Sequence, residues 1–248
     1  MSSPDLQSHD VEQKHQERPN LNLPIILAGY SGSGKDTVSH ATIKVADALE
    51  SRHQFHHSRS RYTDRSRRPS EIQGIDGFFV TPEEFDTRQQ GGEFFFDYKK
   101  DEYGGVRYGF SWPKLDAELV DRHTFVVGGE INTAVALKEA LDGIAQRSRG
   151  EMNHVLHPII LFINRPLENI IAGINMRRAP EVERKKRIAH VEEHWEPYPK
   201  ALEAVKSGAE FIWNDDLDTS SRQVIQVVEA EVNRQLRHLF GSSSKIKL

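Results

Sequence analysis

The sequence predicts an α/β protein: a parallel sheet with helices on both faces, carrying a small inserted α+β subdomain. Three observations predict it. Four short apolar runs, at 24–28, 125–127, 159–163 and 211–213, are continuous rather than alternating, as strands buried on both faces are. Helical patterns separate them, which is the order of βαβ units. The first run opens directly into glycines and then into a helix.

The elements follow in chain order. Residues 1–22 are polar and lack the apolar core of a secretory signal, so they read as a disordered tail, as does 241–248. After the first strand, Val38, Ala41, Val45 and Leu49 fall on one helical face. Residues 58–110 form the insertion, with five arginines in ten positions (Arg59, Arg61, Arg65, Arg67, Arg68) and a dense aromatic group. Within it, Thr81, Pro82 and Glu84 spell a helix start, with N-cap, proline at N1 and a capping-box glutamate. The stretch 145–157 is polar and reads as an exposed loop. A second basic block, 177–187, is expected between two helices. Ile225, Val228, Val232, Leu236 and Leu239 mark one face of a last helix.

Composition narrows the classes. A chain of 248 residues makes one large α/β domain or two small ones. A net charge of -4 gives no bulk attraction to nucleic acid or membrane, and no cysteine is available for disulfides or thiolate metal sites. Apolar runs are strand-sized, too short to span a bilayer. The reading is a soluble cytoplasmic protein, monomer or homodimer.

The junction at 29–37, GYSGSGKDT, matches the phosphate loop G-x-x-x-x-G-K-S/T except at its last position. Gly29, Ser31, Gly32, Ser33 and Gly34 would present backbone N–H groups of residues 30–35 to a phosphate, helped by the helix N-terminus. Lys35 would reach the outer phosphate oxygens. Asp36 replaces the usual hydroxyl ligand of Mg²⁺. A carboxylate is also a hard oxygen donor, so Asp36 is the candidate metal ligand, with the Thr37 hydroxyl one position on.

The stretch TDRSRRPSEIQGIDGFFVTPEEFDTRQQGGEF resembles the acceptor region of guanylate kinases. Arg65, Arg68, Glu71, Gly74, Asp76, Phe79, Val80, Glu84, Phe85, Gly92, Glu93 and Phe94 stand in register with that family. Tyr108-Gly109 and the run Asn214 to Asp218 also match. The resemblance covers roughly 23–237. It implies a phosphate-loop core, an acceptor-binding subdomain at 58–110 and a helical lid near 175–190. It implies transfer of the ATP γ-phosphoryl group to GMP or dGMP with Mg²⁺. Arg65, Arg68 and Tyr108 would then hold the acceptor phosphate, since guanidinium forks grip a phosphate bidentately. Arg177, Arg178 and Arg187 would close over the transferring group, and Asn214 would border the adenine.

Departures from the family pattern leave the acceptor open. Its guanine-reading carboxylate is matched by Asp97 only with one residue inserted. The family's aromatic after the G-x-D aspartate is Gly77, and its serine before T-T-R is Arg61. Its D-I-D becomes Gly128-Gly129-Glu130, which leaves Glu130 as the second acid. GSGKD and Arg61-Tyr62 lean instead toward ribose 1,5-bisphosphate kinases. A third possibility is an inactive interaction module, against which the intact Gly29, Gly34 and Lys35 argue.

Overall fold

The computed structural model describes residues 22–51, 53–69, 71–100, 104–119, 123–147, 157–177, 179–200 and 208–240. Among them, β1 (Pro24–Ala28), β2 (Phe55–His57), β7 (His123–Gly129), β8 (Ile159–Asn164) and β9 (Ala209–Trp213) form a five-stranded sheet in the order β2-β7-β1-β8-β9. Each pairing is parallel. A second, four-stranded sheet has the order β4-β3-β6-β5, from β3 (Arg61–Thr63), β4 (Phe78–Phe79), β5 (Phe94–Lys100) and β6 (Val106–Ser111). The helix α2 (Pro82–Gln90) packs its buried Phe85 on this sheet through Phe94.

Alternation sorts the first sheet's side chains into two cores. Ile25, Leu27, Phe125, Leu161 and Ile163 meet α1 (Lys35–Ala48) and α7 (Leu217–Phe240), the latter through Val224, Val228, Val232 and Leu236. Ile26, Ala28, Val126, Ile160 and Phe162 meet the opposite layer. That layer holds α4 (Ile131–Arg147), α5 (Leu167–Asn175), α6 (Glu181–His194) and α3 (Trp112–Glu118). Strand β1 is buried throughout, and each such aliphatic side chain contributes about 1.5–3 kcal/mol of burial energy.

The predicted start of α2 is present: Thr81 accepts from the Glu84 N–H at 3.2 Å, and the Glu84 carboxylate accepts from the Thr81 N–H at 3.0 Å.

Several expectations need correction. The buried face of α1 is Val38, Ser39, Thr42 and Ala46, with Leu49 52% exposed. Two hydroxyls can be buried there because each bonds a carbonyl of its own helix, Thr42 to Val38 and Ser39 to Asp36. Helix α4 continues to Arg147 where an exposed loop was expected, and Ala145 is buried; 148–156 lie outside the described residues. The basic block is not a linker, since α6 begins at Glu181 with Pro180 before it. The expected tails at 1–21 and 241–248 lie outside the described residues, and the chain is already buried at Asn22.

The edge strand β2 was not predicted. Beside it lies a buried histidine pair. Leu23 donates its N–H to Nδ1 of His123 at 3.2 Å, so that nitrogen accepts. Neutral His123 must then carry its proton on Nε2, which faces Nδ1 of His53 at 2.8 Å. Burial, then His53, pushes the His123 pKa down to about 3. The folded state therefore keeps His123 neutral, while the unfolded chain protonates it below about pH 6.5. Stability from this site is complete above that pH and is lost as pH falls toward 3. The expected loss is about 2 kcal/mol between pH 7 and pH 5. Urea unfolding at the two pH values measures it; His123→Gln, which keeps an acceptor for Leu23, should flatten the difference, and an unchanged difference would refute this role.

Candidate active site

Strand β1 delivers the glycine loop to the carboxyl end of the sheet, the usual ligand side of an α/β fold. Gly29 donates to Gly129 O at 2.9 Å, tying the loop to the end of β7. A side chain at Gly29 would lie 2.3 Å from Ile163 O. Gly34 has φ 85°, and a Cβ there would lie 2.5 Å from Asn214 Nδ2. That amide donates to Ser33 O at 3.0 Å, so Asn214 braces the loop itself. Not every loop N–H is available to a phosphate, because Ser33 donates its own to Tyr30 O at 3.1 Å.

The loop opens on a cleft of about 160 Å³. Gly29, Ser31, Lys35 and Asp36 line it from the loop. Arg61, Arg65, Arg68, Glu71, Tyr98, Lys100 and Tyr108 line it from the second sheet and its loops. Glu130 joins from the end of β7, and Arg177 and Arg187 from the α5–α6 region. Seven cations thus face three carboxylates around one small space.

The electrostatics of the cleft are those of a prepared anion site. Burial lowers the Lys35 pKa from its ordinary value, against the opposing pull of Asp36. Burial and the neighbouring arginines lower Arg68 and Arg177. Desolvation would raise the Asp36 carboxyl, but Lys35, Arg61, Arg177 and His57 bring it below its usual value, so it is ionised.

Arg65 is held by Glu71 through two bonds, at 2.7 and 2.5 Å. Burial opposes both charges, yet each stabilises the other: Arg65 is raised and Glu71 lowered. Arg68 sits 3.4 Å from Glu71 and 3.6 Å from Glu183. Arg187 bonds Glu183 at 2.6 Å and Ser31 Oγ at 3.0 Å, so α6 touches the phosphate loop directly. Its end is anchored by Tyr30, which donates to His194 O at 2.8 Å and accepts from Glu196 N–H at 3.0 Å.

Most of the residues singled out in the sequence meet at this cleft. Gly32 and Ser33 are buried in the loop beneath it, and Thr37 is exposed on the first turn of α1. Arg178 lies outside the described residues. Gly34 and Asn214 lie behind the loop, and Asp97 lies apart from the site. It is exposed on β5 and accepts from Gln89 Nε2 at 2.8 Å, away from the cleft. The register shift between Phe94 and Phe96 sets the alternation so that Tyr98 and Lys100, rather than Asp97, face inward. Lys100, Tyr98 and Glu183 were not foreseen. The first two share the phase of strand β5, which the aromatic run FFF conceals.

The comparisons with known proteins agree with this geometry. Residues 22–231 match the guanylate kinase family model. A guanylate kinase of Chelativorans sp. (strain BNC1) is 29% identical over 220 residues, covering 86% of this chain and 84% of its own. One from Clostridioides difficile (strain 630) is 24% identical over 219 residues, 87% and 91% of the two chains. The crystal structure of guanylate kinase from Anaplasma phagocytophilum shares the fold, with a TM-score of 0.53 at 17% identity over 90% of this chain and 96% of that one. Because the family model spans the phosphate loop, the second sheet and α6 alike, this chain belongs to the guanylate kinase family.

Proposed function

We propose that this protein transfers the γ-phosphoryl group of ATP to the phosphate of GMP or dGMP. The observation that carries the reading is convergence: the phosphate loop and the paired arginines Arg65 and Arg68 line one cleft. Similarity over most of the chain is to guanylate kinases, so a sugar bisphosphate acceptor and an inactive module are not favoured.

The chemistry needs little beyond positioning and charge neutralisation. Lys35 and the loop N–H groups hold the donor phosphates. Arg65, Arg68 and Tyr108 hold the acceptor phosphate, with Glu71 aligning the first arginine. Arg177 and Arg187 cover the equatorial oxygens of the group in flight. The surplus of cations over carboxylates suits two polyphosphorylated or phosphorylated anions entering together.

The donor set fits Mg²⁺. The ion commonly takes one or two carboxylates plus phosphate oxygens, and Asp36 presents one ionised carboxylate beside the lysine that grips those oxygens. Among the described residues no group of three or more His, Cys, Asp or Glu could hold a metal by itself, which suits an ion that arrives with its nucleotide. When bound it would neutralise charge between the outer phosphates.

Three outcomes test this reading. Lys35→Ala should lower kcat on the order of 10²-fold or more in a coupled ADP-release assay with GMP, with its melting temperature retained; turnover like the parent's would end it. Arg65→Ala should weaken the acceptor on the order of 10-fold or more, and Glu71→Gln should do so less, since it releases the arginine without removing it; KM values for GMP would show the order. Asp36→Ser should keep activity while Asp36→Ala raises the Mg²⁺ concentration required; a single Mg²⁺ titration curve for all three proteins would exclude Asp36 as a ligand.

A further inference from the structure

The order of the first sheet divides the surroundings of the phosphate loop. The loop follows β1, with β7 and β2 to one side and β8 and β9 to the other. The cleft described above opens on the β7 side, through Gly129, Glu130 and the second sheet. A γ-phosphoryl group directed into that cleft leaves the nucleoside end of its triphosphate to extend the other way, over the ends of β8 and β9.

Arg165 stands on that side, as the first residue after β8. Its Nη1 lies 3.8 Å from the point a Cβ of Gly34 would occupy, the same point that Asn214 Nδ2 approaches. Neither Arg165 nor Asn214 lines the cleft. Arg165 Nε is buried without a hydrogen-bond partner, and among the described residues no carboxylate meets its guanidinium. The cleft arginines differ in this respect: Arg65 and Arg68 have Glu71, and Arg187 has Glu183. Helix α5 meets the loop at Gly32 and nearby with Ile170, Gly173 and Ile174, none of which carries charge. A half-buried cation held beside the loop without a counter-ion suits a ligand that brings negative charge or a π face.

Two observations select the face. The phosphates already meet Lys35 and the cations of the cleft on the far side of the loop. Asn214, which shares the corner with Arg165, has its amide nitrogen committed to Ser33 O at 3.0 Å and its N–H to Asn164 O at 2.7 Å, so it is not available to read the edge of a base. We propose that Arg165 positions the donor nucleotide by laying its guanidinium against the face of the ATP purine, a stacked cation–π contact. The inference rests on the ATP-donor half of the proposed function. Such a contact is indifferent to the substituents on the purine edge, so the phosphates set the register and the face adds affinity. The corner is preformed. Trp195 Nε1 donates to the carbonyl of Arg165 at 3.3 Å, tying it to the end of α6. That acceptor is main chain, so the tie survives replacement of the side chain.

The test uses the full chain with ATP, etheno-ATP and inorganic tripolyphosphate. The etheno bridge covers the N1 and N6 edge of adenine and leaves its face open; tripolyphosphate has no base. Fluorescence of the etheno base measures its binding, with the other two as competitors. The parent should bind etheno-ATP nearly as tightly as ATP. Arg165→Ala should weaken both on the order of 10-fold and leave tripolyphosphate unchanged. In the coupled assay its KM for ATP should rise while kcat and the KM for GMP are nearly kept, because a contact remote from the transferred group contributes equally to ground and transition states. Arg165→Lys, which keeps the charge without the plane, should restore part of the ATP affinity. Equal weakening of all three ligands would make Arg165 a phosphate cation, and unchanged ATP binding would remove it from the donor site; either result overturns the proposal. So would a parent that binds ATP and rejects etheno-ATP, a result that needs no variant to fold. A parent that shows the expected binding pattern but leaves GMP unphosphorylated would refute the proposed function and uphold this inference.

Discussion

Everything at the site depends on one strand being buried on both faces and paired on both edges. Strand β1 is bonded to β7 on one side and β8 on the other, and its five residues are all buried. The loop that follows inherits that rigidity. Gly29 is tied to Gly129 at the end of β7, and Ser33 to Asn214 beyond β9, whose own N–H bonds Asn164 at the end of β8. Three neighbouring strand ends thus brace one glycine loop. A loop with so many φ values open to glycine would otherwise sample many shapes; here the sheet selects one before any phosphate arrives.

The second constraint is charge. Seven cations around a small cleft repel one another, and burial makes each more costly. The structure answers with internal counter-ions: Glu71 for Arg65 and Arg68, Glu183 for Arg187 and Arg68, Glu130 for Lys100. These pairs are partly exposed, so none adds much stability by itself. Their effect is geometric. Each holds a long side chain in place with oxygen atoms, the same atom type that a phosphate or a base would offer. Binding then exchanges partners rather than ordering flexible side chains from scratch, which lowers the entropic cost of recognition.

Much of this was legible in the sequence, and the failures have physical causes. Runs such as 159–163 could be read because a strand buried on both faces leaves no room for polar residues. The phosphate loop could be read because its glycines answer to close contacts. Strand β2 could not: it is short, lies at an edge and carries His56 and His57, so it lacks the apolar signature. The face of α1 was misplaced because Ser39 and Thr42 satisfy their hydroxyls within the helix and so behave as core residues. That Asp97 lies outside the cleft could not be read, because Phe94, Phe95 and Phe96 give no alternation from which to fix the phase of β5, and that run is irregular. Arg65, Arg68 and Glu71 stand close together in the sequence pattern, but Glu183, the second partner of Arg68, lies more than a hundred residues away, and no local spacing announces it.

The way the second sheet is joined to the core bears on how the cleft can work. It is internally stiff: Arg107 bonds Asp64 and Asp86 and lies over the Phe85 ring, locking β6, the β3 end and α2 together. It meets the first sheet where the chain crosses at Ser58–Ser60 and returns at Ser111, which donates to Ser60 O at 2.9 Å. Glu118 pins that crossing, accepting from the Ser58 hydroxyl and the Arg59 N–H, each at 2.7 Å. Beside it a groove of about 730 Å³ separates His40 and Asp47 of α1 from Ile75 and Asp76 of the insertion. A stiff body with two adjacent crossings and open space on one flank would turn about those crossings rather than bend. Helix α6, by contrast, is fixed at its far end by Tyr30 and by Asn164, which donates to Glu196 O and Pro197 O. Motion of the insertion would therefore carry Arg65 and Arg68 together relative to Lys35 and Arg187. The acceptor's phosphate would be gripped as water is excluded from the reacting groups, so that binding and closure become the same event.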